Sequence, residues 1–431
     1  GGTLANLAEL LPQWLAEARA RGHRPPPAAV PALLDAARAR SELRPDAVAL
    51  GGPLGRWLAE RNPQWRYVLR TADGELATDG ERIWQEGLFA ERVTHLTRLR
   101  RRDPAAALAQ LAGTWTTERA EDRLLFLDAL QEGLGPGDEP FLEAALGDRS
   151  KNVRGTAAEL LSTLPGSALG ARMAVRALAA VRYADGRLLV TPPAACDAAM
   201  QRDGIAPKSP TGRGERAWWL GEVLAAAPLH CWTEAFGLTP AQLLELPVVD
   251  AVDRGADWRE EVREARARAE ERQRDATWAR VLLGPPRRRA GRAGSGAPAP
   301  LLAVLAARER AGWTAAFLGS HGLGDAFQLL GACATPWTPP LSTAVVAALE
   351  RAAGAGAYPW SHSGVLGLTE RSLAPATAPA VEALAADAAP DTAWAETFGR
   401  LAGTLRFRAA MLAELDGGAG TTGPAPAHEG P

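Results

Sequence analysis

The sequence predicts an all-α fold, an α-solenoid of short helices set in pairs, and three observations lead there. The chain of 431 residues is rich in alanine and holds only 3 Tyr and 8 Phe, a balance that favours helix over sheet. Apolar residues recur every three or four positions between Pro and Gly punctuation. Two short–long helix pairs also follow one another closely. Leu111 and Leu146 lie 35 residues apart, and Arg123 and Arg154 lie 31 apart in the helices that follow. That is the period of a unit that buries its apolar face against neighbouring copies.

Taken in chain order, residues 4–20 and 27–41 read as amphipathic helices separated by Arg24-Pro25-Pro26-Pro27, with Leu7, Leu10, Leu11 and Trp14 on one stripe. A shorter helix starts at Pro53, carries Trp57 on its apolar side and stops at Asn62-Pro63, because the residue before proline avoids helical geometry. Residues 66–83 contain Asp73-Gly74 and Asp79-Gly80 and read as turns with a weak hairpin. These stretches make an N-terminal helical region, 1–88.

A helical array is expected over 89–284. Its first helices span 89–99, 104–112 behind an Asp103 N-cap and Pro104, and 118–132 with acid in its first turn. Helices at 139–146 and 151–164 follow. Ser150 caps the second of these, and Val153, Ala157, Leu161 and Leu164 share one face. After a helix at 167–180 the rhythm breaks over 183–214, where Asp185-Gly186 and the run from Leu188 to Thr191 read as a small hairpin followed by a long loop. Helices at 215–226, 229–236, 240–246 and 258–283 complete the array. Residues 285–300 read as a flexible linker, 301–415 as a C-terminal helical region, and 416–431 as a disordered tail too poor in large apolar groups to fold. Helices of that C-terminal region are expected at 301–311, 322–330, 341–352, 375–387 and 392–415.

Composition narrows the function classes. With 48 basic against 50 acidic residues the formal charge is −2, which disfavours a protein devoted to a phosphate backbone. Cys196, Cys231 and Cys333 have no CxxC spacing, so neither a disulfide framework nor a zinc site is expected, and a reducing cytoplasm suits them. No apolar run approaches the roughly 18 residues that span a bilayer. The chain opens Gly-Gly-Thr with neither Met nor a signal-peptide pattern, so it is expected to begin inside a longer protein. Arginine almost wholly replaces lysine, which reads as a GC-rich bacterial genome.

Few motifs carry chemistry. In "GIAPKSPTGRGERAWWL" (204–220) Pro207 stands where a P-loop needs glycine before its lysine, and proline offers no N–H to a phosphate. Lys208, Arg213 and Arg216 do concentrate positive charge before a helix N-terminus, making them candidate contacts for an anion or an acidic partner. Trp218 and Trp219 compete with that reading as anchors of the helix. His230 and Cys231 are adjacent on a helix, where side chains diverge by about 100°, which is poor geometry for a thiolate–imidazole couple. The six histidines show no HxxxH or HExxH spacing. Basic runs at Arg98, Arg100, Arg101 and Arg102 and at Arg287, Arg288, Arg289 and Arg292 read as solvated charge. No catalytic, metal-binding or cofactor-binding set emerges, and no cofactor is expected.

"FLEAALGDRSKNVRGTAAELL" (141–161) resembles a HEAT repeat, whose unit carries Asp in its turn and Val-Arg early in its second helix. Asp148 and Arg154 are the matching pair, a carboxylate and a guanidinium able to reach between stacked units. With "GRWLAERNPQW" (55–65), "GRGERAWWL" (212–220), "RQRDATWARVLL" (272–283) and "LAGTLRFRAAMLAEL" (401–415), the chain is similar to an uncharacterised bacterial family of HEAT-like, armadillo-type proteins common in actinobacteria. The resemblance implies neighbouring genes for a SWIM zinc-finger protein, a MoxR-type AAA+ ATPase and a protein with a von Willebrand factor A (VWA) domain. It carries over no catalytic residue. The expected function is a cytoplasmic, non-catalytic scaffold for a protein partner. Nucleic-acid binding is the first alternative and an enzyme of unknown class the second.

Overall fold

The computed structural model describes residues 7–69, 76–210, 212, 214–252, 257–286 and 298–417. Among them lie 24 α-helices and three short strands, so the fold is mostly helical as its composition implies. The chain divides into two compact units. One comprises Gly1–Ala77, Pro286–Arg288 and Ala307–Pro431, and the other Thr78–Pro285 and Arg289–Ala306. The N-terminal and C-terminal helical stretches, separate in sequence, thus share a unit.

In that first unit the N-terminal helix Leu7–Ala20 packs against the final helix Ala393–Gly417. Leu15, Ala18, Ala37, Leu43 and Leu415 form one buried cluster. Arg408, fully buried, stitches three helices together. Its Nε donates to Gln13 Oε1 at 3.0 Å and its Nη1 to the Leu373 carbonyl at 2.7 Å and the Glu370 carbonyl at 3.3 Å. Burial pulls its pKa down to about 10.

In the second unit most helices lean on near neighbours in sequence. Phe89–Arg102 packs on Pro104–Thr114 and on Ala120–Ala129, and Ala120–Ala129 packs on Lys151–Ser162. That helix contacts Ala168–Ala180, which contacts Glu215–Ala226, which in turn lies along Arg259–Gln273. Leu96, Leu111, Phe126, Leu127, Leu142, Val153 and Leu161 are completely buried in one continuous core. The starts of these helices are chemically fixed. Asp103 accepts the Ala106 N–H at 2.9 Å, Ser150 the Val153 N–H at 3.5 Å and Ser167 the Gly170 N–H at 3.1 Å, each satisfying a donor that has no partner inside its helix.

The expected hairpin is present. Strands β1 (Val181–Ala184) and β2 (Arg187–Val190) pair antiparallel with Ala184 opposite Arg187. Asp185 and Gly186 both have positive φ, 51° and 69°, as the right-handed strand twist requires of a two-residue turn. A third strand, β3 (Val248–Asp250), joins β2 in parallel and was not expected.

Several other expectations are corrected. Arg66–Leu69 and Leu76–Glu86 are helices, so the excursion expected near 66–83 is absent from the described part of that stretch; residues 70–75 lie outside it. The 183–214 excursion is interrupted by a helix, Ala198–Arg202, capped by Asp197. Trp57 is half exposed, with the Arg61 guanidinium 3.9 Å from its ring centre, and does not join the core. The helix expected at 258–283 is two helices, because Arg274 turns left-handed (φ 53°) and Asp275 caps a new start. Ser363–Ser372 is an additional helix. The linker residues 287–297 and the tail residues 418–431 lie outside the described residues, while Asp416 and Gly417 end the last helix.

Candidate functional site: an interhelical cleft beside a ladder of arginines

The second unit builds one local arrangement twice. Arg92, in the first turn of Phe89–Arg102, lies 4.5 Å from the Trp84 ring centre and makes a two-point contact with the Glu118 carboxylate. Arg123 lies 5.5 Å from Trp115 and pairs with Asp148. Trp115 and Arg123 each stand 31 residues after their counterparts, Trp84 and Arg92. Planar guanidinium suits both contacts, since one face stacks on an aromatic ring while its edge binds a carboxylate. Burial opposes the charge on Glu118, but hydrogen bonds from Arg92 and Thr114, together with the Arg92 charge, outweigh it and hold the carboxyl below its ordinary value.

Arg154 stands a further 31 residues on, yet it differs. Its Nη1 donates to the backbone carbonyls of Asp148 at 2.8 Å and Arg149 at 3.2 Å. The Asp148 carboxylate goes to Arg123 through one oxygen and to the Ser150 N–H, at 2.8 Å, through the other. The carboxylate–guanidinium contact expected between Asp148 and Arg154 is therefore corrected. Asp148 reaches back to the preceding helix, and Arg154 binds the turn itself.

Arg98, Arg101 and Arg102 are exposed, as the reading of their run as solvated charge expects, but Arg100 is not. It is completely buried. Its Nη1 and Nη2 bind the two Asp138 oxygens at 2.8 and 2.9 Å, and its nitrogens also reach the carbonyls of Pro104, Leu130, Glu132 and Gly133. The sequence held a signal for this. Val93, Leu96 and Arg100 fall at i, i+3 and i+7, so Arg100 belongs to the apolar face.

Next to this ladder lies a cleft of 680 Å³. One wall is Lys151–Ser162 and the turn after it, presenting Thr156, Glu159, Leu160, Thr163 and Leu164. The opposite wall is the C-terminal end of Arg259–Gln273, presenting Arg268, Glu271, Arg272 and Gln273, with Arg274 just past it. Gln131 and Leu134 close a third side. Gln273 fixes its wall to the Ala227–Leu229 turn, donating to the Ala227 carbonyl and accepting the Leu229 N–H. Arg272 grips both Glu159 oxygens, at 2.9 and 2.6 Å, joining the two main walls. Arg268 is matched by Glu222 at 2.6 Å. Much of the cleft's charge is thus neutralised within its own walls.

Two of the three candidate contacts chosen from sequence lie within the described residues. Lys208 is exposed, and Arg216 spends Nη2 on the Pro192 carbonyl at 3.4 Å. Arg213 lies outside the described residues. The two indoles of the next helix hold the loop instead. Trp218 donates to the Ala206 carbonyl at 3.0 Å and Trp219 to the Pro207 carbonyl at 3.1 Å. Upstream, Asp203 takes Arg172 and Arg176, and Gly204 (φ 92°) lies so close to Lys151–Ser162 that a Cβ there would stand 2.5 Å from that of Ala158. His230 is exposed while Cys231 is buried, and burial pushes the thiol up to about 12, far from a thiolate at neutral pH.

Sequence reasoning also missed two buried ionisable groups on Arg259–Gln273. Among the described residues Arg266 sits between Trp232 and Trp278 with one bond, to the Leu243 carbonyl at 3.4 Å, and its Nε and Nη2 are unpartnered. Burial draws its pKa down to about 10. Glu270 is fully buried with both carboxylate oxygens unpartnered among the described residues, and burial, followed by the nearby Glu271 and Asp275, pushes it up to about 8. Among the described residues no three His, Cys, Asp or Glu side chains are grouped to hold a metal ion, and no helix is long and apolar enough to cross a membrane.

Comparison with known proteins places the chain by family. A family model described as a family of unknown function, DUF5691, matches residues 2–415. No curated protein and no solved structure matches the chain. The chain belongs to the DUF5691 family.

Proposed function

We propose that this DUF5691 protein is a non-catalytic scaffold whose second unit is a HEAT-like, armadillo-type array that holds a partner protein. The observation carrying the reading is the recurrence of tryptophan and arginine at 31 residues and of a turn carboxylate at 30, seen in Trp84, Arg92 and Glu118 and again in Trp115, Arg123 and Asp148. Helix pairs in such register leave equivalent faces side by side, and stacked faces form the extended surfaces that repeat proteins use for recognition. Inference from architecture to role is analogy, so the cleft chemistry matters as well. Its arginines are interleaved with Glu159, Glu222 and Glu271, a mixed surface suited to a polypeptide and ill-suited to a run of phosphates. The partner implied by the family resemblance is a MoxR-type AAA+ ATPase, a VWA-domain protein or a SWIM zinc-finger protein in a cytoplasmic bacterial assembly.

Affinity purification of the full chain from its source cells, followed by mass spectrometry and gel filtration, tests this. One of those three proteins is expected to co-purify and co-migrate. Recovery of nucleic acid alone, or of no protein above a mock purification, contradicts the reading.

A further inference from the structure

We infer that the cleft between Lys151–Ser162 and Arg259–Gln273 binds an extended peptide segment in which an acidic residue adjoins an apolar one. This rests on the protein-binding reading and assigns its contact point. Three features of the cleft specify the ligand. Leu134 and Leu164 are half-buried and Leu160 buried, so their side chains offer an apolar seat for one residue. Arg268 and Arg272 are already matched by Glu222 and Glu159. Arg274 is exposed, and its side chain makes no hydrogen bond or ion pair among the described residues, so it is the cation left for a ligand carboxylate.

The remaining polar groups distinguish an extended segment from a helical one. The Thr156 hydroxyl and the Glu271 carboxylate also line the cleft without a side-chain partner among the described residues. An extended backbone presents free N–H and C=O groups that need such partners, because nothing within the strand satisfies them. A helix satisfies its own backbone and asks instead for a long apolar groove at i, i+3, i+4 and i+7, which three leucines among charged residues do not supply.

Selection of a phage-displayed random peptide library on the full-length protein tests the assignment. Enriched peptides are expected to share Asp or Glu beside a large apolar residue. Synthetic copies are expected to lose about tenfold in affinity with Arg274→Asn, the loss of one charge-assisted contact. Asparagine tolerates the left-handed backbone at that position, so this exposed variant retains the fold. Leu164→Asp is expected to weaken binding further, with circular dichroism confirming its helix content. Arg149→Asn, exposed and not lining the cleft, is the control expected to change nothing. Failure to enrich an acidic–apolar consensus overturns the inference, and so does undiminished binding to both cleft variants. If co-purification of a partner protein survives Arg274→Asn and Leu164→Asp, the scaffold reading stands and only the cleft assignment falls.

Discussion

Arg100 and Arg266 are both buried arginines of the second unit, and their surroundings are opposite. Arg100 lies in the last turn of Phe89–Arg102, and its Nε, Nη1 and Nη2 all find acceptors: the Asp138 carboxylate, the Pro104 carbonyl, and three carbonyls of the turn after Ala120–Ala129. Arg266 lies beyond the β-hairpin in sequence, with two aromatic faces, one long bond and two nitrogens idle among the described residues. A buried guanidinium is costly to desolvate, and geometry decides whether its new partners repay that. The difference is that the turn around Arg100 supplies a carboxylate and free carbonyls at fixed places, whereas the surroundings of Arg266 leave charge stranded.

The largest effect is expected from breaking the satisfied site. Asp138→Ala strips Arg100 of its carboxylate and also removes the acceptor of the Gly135 N–H, and a loss of about 3–5 kcal/mol in urea unfolding is expected. Arg266→Met should act in the other direction. Removing an uncompensated buried charge while keeping a long side chain between Trp232 and Trp278 is expected to raise stability by about 1–3 kcal/mol.

Glu270 extends the comparison to pH. Its folded pKa of about 8 lies above its ordinary 4.5, so the folded state holds a proton that the unfolded state releases. The resulting stabilisation is complete below pH 4.5 and is lost as pH rises through about 8. Glu270→Gln, which cannot ionise, is expected to flatten that decline; an unchanged stability–pH profile would show that Glu270 does not cause it.

Two smaller effects sharpen the contrast at the surface. Asp103→Ala removes a helix cap and is expected to cost about 1 kcal/mol in thermal unfolding. Glu159→Gln loosens the Arg272 clasp, whose carboxylate is largely solvated, and is expected to cost less than about 1 kcal/mol.

Much of the regular part was legible in the sequence because local chemistry decides it. Asp103 and Ser150 announce helix starts, and Asp185-Gly186 announces a hairpin. The helix at Leu76–Glu86 was hidden because Asp79-Gly80 looks like a turn. Gly80 is instead a close-packing position, where a Cβ would stand 2.8 Å from the His95 ring. Strand β3 was hidden because three residues after a proline carry no alternation, and its pairing with β2 is set by tertiary contact. The ladder was half legible. Arg123 and Arg154 were matched, but Leu111 was aligned with Leu146, whereas the buried residue 31 positions after Leu111 is Leu142. The cleft was not legible, because Glu159 and Arg272 lie 113 residues apart and nothing in either local sequence points to the other.

Hydrogen exchange of the full chain, alone and with its co-purified partner, tests the recognition surface most directly. Slower exchange on binding is expected in 151–164 and 268–274, the two main walls of the cleft. Protection confined to the unit that contains Leu7–Ala20 and Ala393–Gly417 would contradict the account.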